Sequence, residues 1–533
     1  MNTPTHDNPD APLVSVLVPT FNRRRYLAEA IASLLAQTHR RFEALIVNDG
    51  GEPVADLVAS FNDPRLVLID RRQNRGKAFS LNQALARAQG KYVAYLDDDD
   101  RYYPGHLARL VRALESDADC GAAYSDLYKV HCRVLPDGTR QVLGKVVNIS
   151  RDFDRFFLCH FNHVLHVSLL HRRDLVEKTG LYNEGLRILI DWDMTRRLSF
   201  FTDLRHVAEV TGEFYGPVGP CDRISYRQRL DPAQYVRQVA TIRTTRPAKP
   251  WPKMPDLSII FLPDAVDAAL AETLRSIWLT TFMPYELYLP MPSAQLQLLE
   301  AAMPNLVRIP VRDGASREAR IDAALPYAAG DFIAVVPHGV PVNAMWVENP
   351  LHAAAGQPAG GSALLIAGSA QDWPAVVLRR DDCLRARRGR AGATWPASLA
   401  AAGLAVREPD VRELPFQFDF LLQEAQAMET DGNWGQAAWL YQQTGAKFDN
   451  RRWMDEMAAR ALYRAGGRDA EALNLCRQAA GDRPTPATLL LEAKIRKRAN
   501  QFEAAARLLE HADMILADSA TATVAATAGS GKG

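Results

Sequence analysis

Four consecutive carboxylates, Asp97, Asp98, Asp99 and Asp100, directly follow the apolar run from Tyr92 to Leu96. No basic residue stands among them before Arg101, so their charges repel one another and favour a divalent cation. Hard oxygen donors suit Mg²⁺ or Mn²⁺, which bind through one or two carboxylates plus substrate phosphates. A charge run is ordinarily a solvated face. Its position at the end of an apolar run changes the reading, because open α/β sheets bind ligands beyond the carboxyl ends of their strands. Asp49 ends another such run, Ile46-Val47-Asn48-Asp49-Gly50-Gly51, and its glycines allow close backbone approach or positive φ. This carboxylate can accept from a base N–H or a ribose hydroxyl; the plainer alternative is a turn-forming Asp before Gly. Asp191, in Leu189-Ile190-Asp191-Trp192-Asp193, sits beside an aromatic and is a candidate general base, with a helix N-cap as the alternative. Trp192 is the candidate acceptor contact. His160, His163, His166 and His171 lie near Cys159, but their spacing fits no standard zinc set, so core or acceptor-lining positions are the better reading.

The elements that must carry these groups are legible in the first hundred residues. Leu13 to Val18 is a short apolar run between Pro12 and Pro19, which reads as a buried strand. Apolar residues at 27, 30, 31, 34 and 35 have helical spacing over Tyr26 to Gln37. Phe42 to Val47 reads as strand, Leu66 to Ile69 as strand, Lys77 to Ala88 as helix and Tyr92 to Leu96 as strand. Strand, helix, strand with short links is the signature of a parallel sheet, so the fold class is α/β and Rossmann-like.

Residues 246–256 read RPAKPWPKMPD, and proline removes backbone donors, so this stretch is expected as an extended, unpaired linker. Beyond it the first segment recurs. Ser15, Ser33, Thr38, Phe42 and Glu43 meet Ser258, Ser276, Thr281, Tyr285 and Glu286 at an offset of 243. Gly90 to Ala94 meets Gly330 to Ala334 at 240. Shared polar positions in nearly constant register favour domain duplication over chance likeness of two βαβ units. The copy has Pro337-His338-Gly339-Val340 where the first has its four carboxylates, so it is read as degenerate. From about residue 415 the chain becomes alanine-rich and helical. Ala425, Ala459 and Ala493 are 34 apart, as are Ala438, Ala472 and Ala506, and Gly432, Gly466 and Asn500. That period resembles tetratricopeptide repeats, whose surface would take a protein partner.

Taken together, VSVLVPTFNRRRYLAEAIASLLAQT, VNDGG, NRGKAFSLNQALARAQGKYVAYLDDDD and a later DWD resemble the family 2 glycosyltransferases over roughly residues 12–240. The resemblance implies a GT-A fold, a nucleotide-sugar donor, inversion at the transferred sugar and Mg²⁺ or Mn²⁺. It places Asp49 at the nucleobase, typically uracil or thymine, so the donor would be of UDP or dTDP type. It puts Pro19 and Thr20 in the nucleotide pocket, Lys77 near the base or diphosphate, and Asp98 near the ribose. Asp97 and Asp99 would form the DxD pair, with Asp99 the direct metal ligand and Asp191 the catalytic base. Two departures stand out. The family often has Asp-Asp-Gly-Ser where this chain has Asn48-Asp49-Gly50-Gly51, and often an acidic residue where this chain has Ile190.

The expected division is 1–11 disordered, 12–245 catalytic GT-A, 246–256 linker, 257–412 degenerate GT-A-like, 413–516 tetratricopeptide-like and 517–533 disordered. Composition sets outer limits. The 533 residues carry 63 Lys plus Arg against 62 Asp plus Glu, a net charge of +1, which gives no global pull toward nucleic acid. Six cysteines without a CxxC pair make neither a disulfide scaffold nor a zinc ribbon and suit a reduced compartment. No long apolar run predicts a transmembrane helix, and Met1 to Asp10 does not read as a signal peptide. The expected location is cytoplasmic, with room for peripheral contact at the inner face of the membrane. The expected function is transfer of a sugar to a hydroxyl of a glycan or protein, in surface polysaccharide or flagellin-type glycosylation. A non-catalytic scaffold that binds glycans and protein partners is the alternative. A nucleotidyltransferase fits less well, because Arg23 to Arg25 follow the first strand without a glycine-rich phosphate loop.

Overall fold

The computed structural model describes residues 11–147, 150–217, 232–297, 305–342, 345–368, 373–390 and 392–409. Further along it describes 422, 425–426, 428–429, 432–447, 451–481 and 484–514. The ends expected to be disordered, 1–10 and 517–533, and the start of the helical region at 413–421 lie outside the described residues. The chain divides into two compact units, Met1–Pro409 and Asp410–Gly533.

The larger unit holds two sheets. The first contains β1 (Val14–Thr20), β2 (Phe42–Asn48), β3 (Leu66–Asp70), β4 (Tyr92–Tyr95), β5 (Arg101–Tyr102), β6 (Cys120–Val134), β7 (Arg140–Val147), β8 (Leu169–Arg172) and β9 (Asp203–Pro217). Its order is β3-β2-β1-β4-β8-β6-β9-β5, with β7 paired to β6. β1 to β4 run parallel, and β8 then joins β4 antiparallel. Strands buried on both faces need apolar residues throughout, and β1 supplies them. Val14, Val16 and Val18 face one core layer with Ala44, Ile46 and Ala94. Leu17 faces the other with Leu45, Val47 and Val93. The helix Arg24–Leu35 buries Leu27, Ala30, Ile31 and Leu34, one apolar stripe at helical spacing.

The second sheet contains β10 (Leu257–Leu262), β11 (Tyr285–Pro292), β12 (Leu306–Val311), β13 (Phe332–Pro337), β14 (Ser362–Ala367), β15 (Ala375–Arg379) and β16 (Ala405–Arg407). Its order is β12-β11-β10-β13-β15-β14-β16, so its first four places repeat those of the first sheet. The registers repeat as well. Ser15 stands opposite Glu43 and Val93, and Ser258 stands opposite Glu286 and Ile333. Gly90 N–H donates to Ser15 Oγ at 2.8 Å, and Gly330 N–H donates to Ser258 Oγ at 3.0 Å. A Cβ on Gly90 would come within 2.6 Å of the Ser15 nitrogen, and one on Gly330 within 2.8 Å of the Ser258 nitrogen. Only glycine permits that approach of two backbones.

Residues 246–256 carry no helix or strand, and they are pinned in place. Arg246 donates to the Tyr285 carbonyl, Trp251 packs edge-on against Phe200, and Lys253 N–H donates to the Phe200 carbonyl. In the smaller unit, the helices Trp434–Lys447, Arg451–Ala465, Asp469–Ala480 and Pro486–Arg498 are followed by helical residues 502–514. Gly432, Gly466 and Asn500 all have positive φ, 77°, 74° and 60°, each just before a helix. Ala425, Ala438, Ala459, Ala472 and Ala493 are buried, whereas Ala506 is exposed.

Candidate functional site

The carboxyl ends of β1, β2 and β4 bring the sequence-selected groups together. Thr20 closes β1 and donates its hydroxyl to Asp98 Oδ2 at 2.7 Å. Pro19 lies in the same strand, one place earlier. Asp98 is buried, and burial together with the neighbouring Asp99 carboxylate pushes it well above the usual carboxylate range; Arg23 and the Thr20 hydroxyl oppose this. Arg23 reaches across from the loop after β1 and pairs with Asp98 Oδ1 at 3.3 Å and Asp99 Oδ2 at 2.8 Å.

Lys77 opens the helix Lys77–Leu85 and pairs with Asp97, Nζ to Oδ1 at 2.6 Å. Burial pulls the Lys77 ammonium down, but the carboxylates of Asp97, Asp191 and Asp99 more than offset it, and the net direction is up. Lys77 is therefore the electrostatic hinge between the acidic cluster and Asp191. Carboxylate oxygens of Asp97, Asp99 and Asp100 lie within 4.8 Å of one another. Asp100, the last of the four carboxylates, also accepts the Tyr215 N–H at 3.1 Å. Arg23 and Lys77 bring positive charge to this acidic cluster from the loop after β1 and from the start of the helix Lys77–Leu85. Three hard oxygen donors in one cluster fit Mg²⁺ or Mn²⁺. Arg140, unforeseen in the sequence, donates to the Asp99 carbonyl at 2.6 Å and stacks over Tyr215 at 3.5 Å.

Asp49 is 4% exposed and fixed from three sides. The N–H groups of Arg75 and Gly76 donate to its two oxygens at 2.9 and 2.7 Å, and Arg71 pairs with it at 2.9 Å. A carboxylate has about four lone-pair sites, so about one remains for an incoming donor. Arg71 and Arg75 both lie over the Phe79 ring, at 4.3 and 3.6 Å.

Asp191 stands in the first turn of the helix Ile190–Leu198. Leu189, which precedes that helix, has φ 57°, a left-handed conformation that a leucine adopts only under constraint from its surroundings. Burial pushes the Asp191 carboxyl up, Lys77 pulls it down, and Asn162 donates to its Oδ2 at 3.0 Å. Trp192 is 4% exposed, and its indole N–H donates to the Leu158 carbonyl at 2.7 Å. It belongs to the core beside Asp191 and bonds to the segment that leads to Asn162.

The histidines are packed groups. His166 stacks on Tyr95 at 3.9 Å and meets the Tyr182 hydroxyl at 2.8 Å, and His171 meets the Tyr95 hydroxyl at 2.6 Å. Burial brings His163 and His166 down to about 3 and His171 to about 4, so all three are neutral at pH 7. Among the described residues, Asp97, Asp99 and Asp100 form the group of His, Cys, Asp or Glu side chains close enough together to share a metal ion.

Of the residues that sequence reasoning missed, Arg23 left a signal in the Arg23-Arg24-Arg25 run. Asn162 and Arg140 left none, because their partners lie far along the chain.

The first part of the chain is similar to known glycosyltransferases. A glycosyltransferase of Rickettsia prowazekii described as uncharacterized is 32% identical over 194 residues, 34% of this chain and 58% of its own. A Bacillus subtilis protein named as a teichuronic acid biosynthesis glycosyltransferase, TuaG, is 38% identical over 101 residues, 18% of this chain and 40% of its own. The chain thus spans less than two thirds of the length of either relative. A solved structure of S. aureus TarS in complex with UDP is 19% identical, with a TM-score of 0.34, over 43% of this chain and 65% of that one. Residues 15–173, which hold Asp49, Lys77 and the acidic cluster, match the family described as Glycosyl transferase family 2.

Proposed function

We propose that this protein is an inverting, metal-dependent glycosyltransferase that moves a hexosyl or related sugar from a UDP- or dTDP-sugar to an acceptor hydroxyl. The observation that carries the reading is the pairing of an acidic cluster with a separate buried carboxyl, Asp191, through the shared cation Lys77. Asp97 and Asp99 would hold Mg²⁺ or Mn²⁺, which when bound neutralises the charge that builds on the leaving diphosphate. Asp49 would take a base N–H with its remaining lone pair, on a carboxylate already held rigid by backbone donors. Thr20, Pro19 and Asp98 would line the nucleotide pocket, and Lys77 would keep Asp97 oriented. Asp191 would take the proton of the acceptor hydroxyl as that oxygen attacks the anomeric carbon from the face opposite the leaving group. One such displacement inverts the configuration.

The acceptor is a glycan or a protein, in surface polysaccharide or flagellin-type glycosylation, in the cytoplasm or at the inner membrane face. No helix among the described residues is long and apolar enough to cross a membrane. The second sheet is read as a degenerate copy, and the helical repeats as the surface for a protein partner, with Trp439 61% exposed there.

A thermal-shift panel of UDP, dTDP, GDP and CMP, with and without Mn²⁺, tests the reading. A ligand that binds only the native state raises apparent stability. A Mn²⁺-dependent shift with UDP or dTDP that disappears in Asp99→Ala is expected. No shift with any nucleotide would move the reading to a non-catalytic scaffold.

A further inference from the structure

The segment that carries Asn162 lies between the base and the second sheet's module. Asn162 donates one amide hydrogen to Asp191 Oδ2 at 3.0 Å, while its own Oδ1 is buried with no hydrogen-bond partner among the described residues. A buried acceptor left unpaired is costly, and a bond to a charged carboxylate offsets that cost. Arg243, in the helix Pro232–Thr244, joins the surrounding pieces. Its guanidinium donates to the His160 carbonyl and to the Leu279 carbonyl, each at 3.3 Å, and lies 5.7 Å from the centre of the Phe282 ring. Its own carbonyl accepts from Arg196 at 2.8 Å, and Arg196 is buried on the same helix as Asp191. The His160 ring packs on Phe282 at 5.0 Å, and Phe156 packs on His352 at 4.7 Å. Leu279, Phe282 and His352 all belong to the second sheet's module.

We propose that this module is a buttress for the base: Arg243 ties it to the segment 160–162 through the His160 carbonyl, and Asn162 holds and orients Asp191 through its Oδ2. The inference rests on the base role given to Asp191 above. Asn162 and Arg243 are positioning residues, and the second sheet's module serves the first sheet's chemistry. A planar guanidinium that bonds two carbonyls fixes their separation, which an ammonium cannot do. The charged groups facing Asp191 are Lys77, which favours its ionised form, and Asp97, which opposes it; the buried Tyr182 hydroxyl lies in the same field.

The test is a titration of isotope-labelled aspartate carboxyls in the full-length protein, with Asp191→Asn identifying the Asp191 signal. Asn162→Ala should raise the Asp191 midpoint by about one pH unit, since a hydrogen bond to the charged form is lost. Arg243→Met should raise it in the same direction by less. Should that variant fail to fold, Arg243→Lys, which keeps the charge and loses the planar fork, should give a smaller rise. Affinity for UDP or dTDP with Mn²⁺ should stay unchanged in all of them. If wild type binds no nucleotide, the transferase reading fails, and the titration still reports on the buttress. An Asp191 midpoint unmoved by Asn162→Ala overturns the proposal. A midpoint that moves with Asn162→Ala but with neither Arg243 variant removes the second module from it.

Discussion

The two sheets of the larger unit share a backbone plan and differ in what their strands end on. Both order their first four strands identically, and both lock the central strand to the glycine before the fourth through a serine hydroxyl. The burial pattern of residues 81–90 recurs position for position at 321–330. Yet β4 runs into four carboxylates, while β13 ends at Pro337 and is followed by His338 and Gly339. Asp49, after β2, falls opposite Pro292 at the end of β11. Core alternation and backbone locks specify the sheet; the residues just past the strand ends specify the chemistry. Losing the second set leaves the first intact.

That contrast can be broken or sharpened by experiment. The largest effect is expected at the acidic site past the strand ends of the first sheet. Asp191→Asn should lower sugar transfer by about 10²–10⁴-fold, the usual contribution of a positioned base, while nucleotide affinity is retained. Product formation and nucleotide titration check the two halves of that statement.

Equivalent core positions should behave alike. Leu17 and Ile260 are both fully buried and occupy the same place in β1 and β10. Leu17→Ala and Ile260→Ala should each cost about 2–5 kcal/mol in urea unfolding, from lost transfer energy and the cavity left behind. Transfer by folded Ile260→Ala protein should stay close to wild type.

Glu348 belongs to the second module alone. Burial pushes it up to about 7 from an ordinary value of 4.5, against N–H donors that include Phe282. A carboxyl with a raised folded-state value binds its proton more tightly when folded. Stability is therefore greatest below about 4.5 and falls as pH rises toward about 7. The loss amounts to about 3 kcal/mol. Glu348→Gln, which keeps an acceptor for Phe282, should remove that slope, so its advantage over wild type should grow between urea melts at pH 5 and pH 8.

The smallest effect should again be shared. Ser15→Ala and Ser258→Ala each leave a buried glycine N–H without its hydroxyl acceptor, at a cost of about 1–3 kcal/mol. Unequal costs, read by the same unfolding measurement, would argue against a common plan.

Much of this was legible in the sequence. The apolar runs at 13–18, 42–47 and 92–96 became β1, β2 and β4, whose residues are buried as a doubly covered sheet needs, and 66–69 became the edge strand β3, in which Ile69 is the buried residue. The acidic cluster and Asp49 were legible because strand ends next to Asp and Gly are local signals. What stayed hidden is long-range. Arg23 meets Asp98 and Asp99 across 75 and 76 residues, Arg140 meets Glu29 across 111, and Asn162 meets Asp191 across 29. Such partnerships are made by the fold and carry no spacing rule. The long β6 and β9 were missed for the same reason, since their parallel pairing joins Cys120 to Asp203 and Cys132 to Pro217. Trp192 illustrates a different limit: an aromatic beside a candidate base reads in sequence as an acceptor contact, and the helix turns its ring into the core.

Calorimetric titration of UDP and dTDP into wild-type protein and Asp99→Asn, with and without Mn²⁺, tests the central contrast most directly. A single nucleotide bound per chain, dependent on Mn²⁺ and lost in Asp99→Asn, is the result expected if the first sheet alone holds the donor. Binding that needs no cation and survives Asp99→Asn, or two equivalents bound per chain, would contradict it.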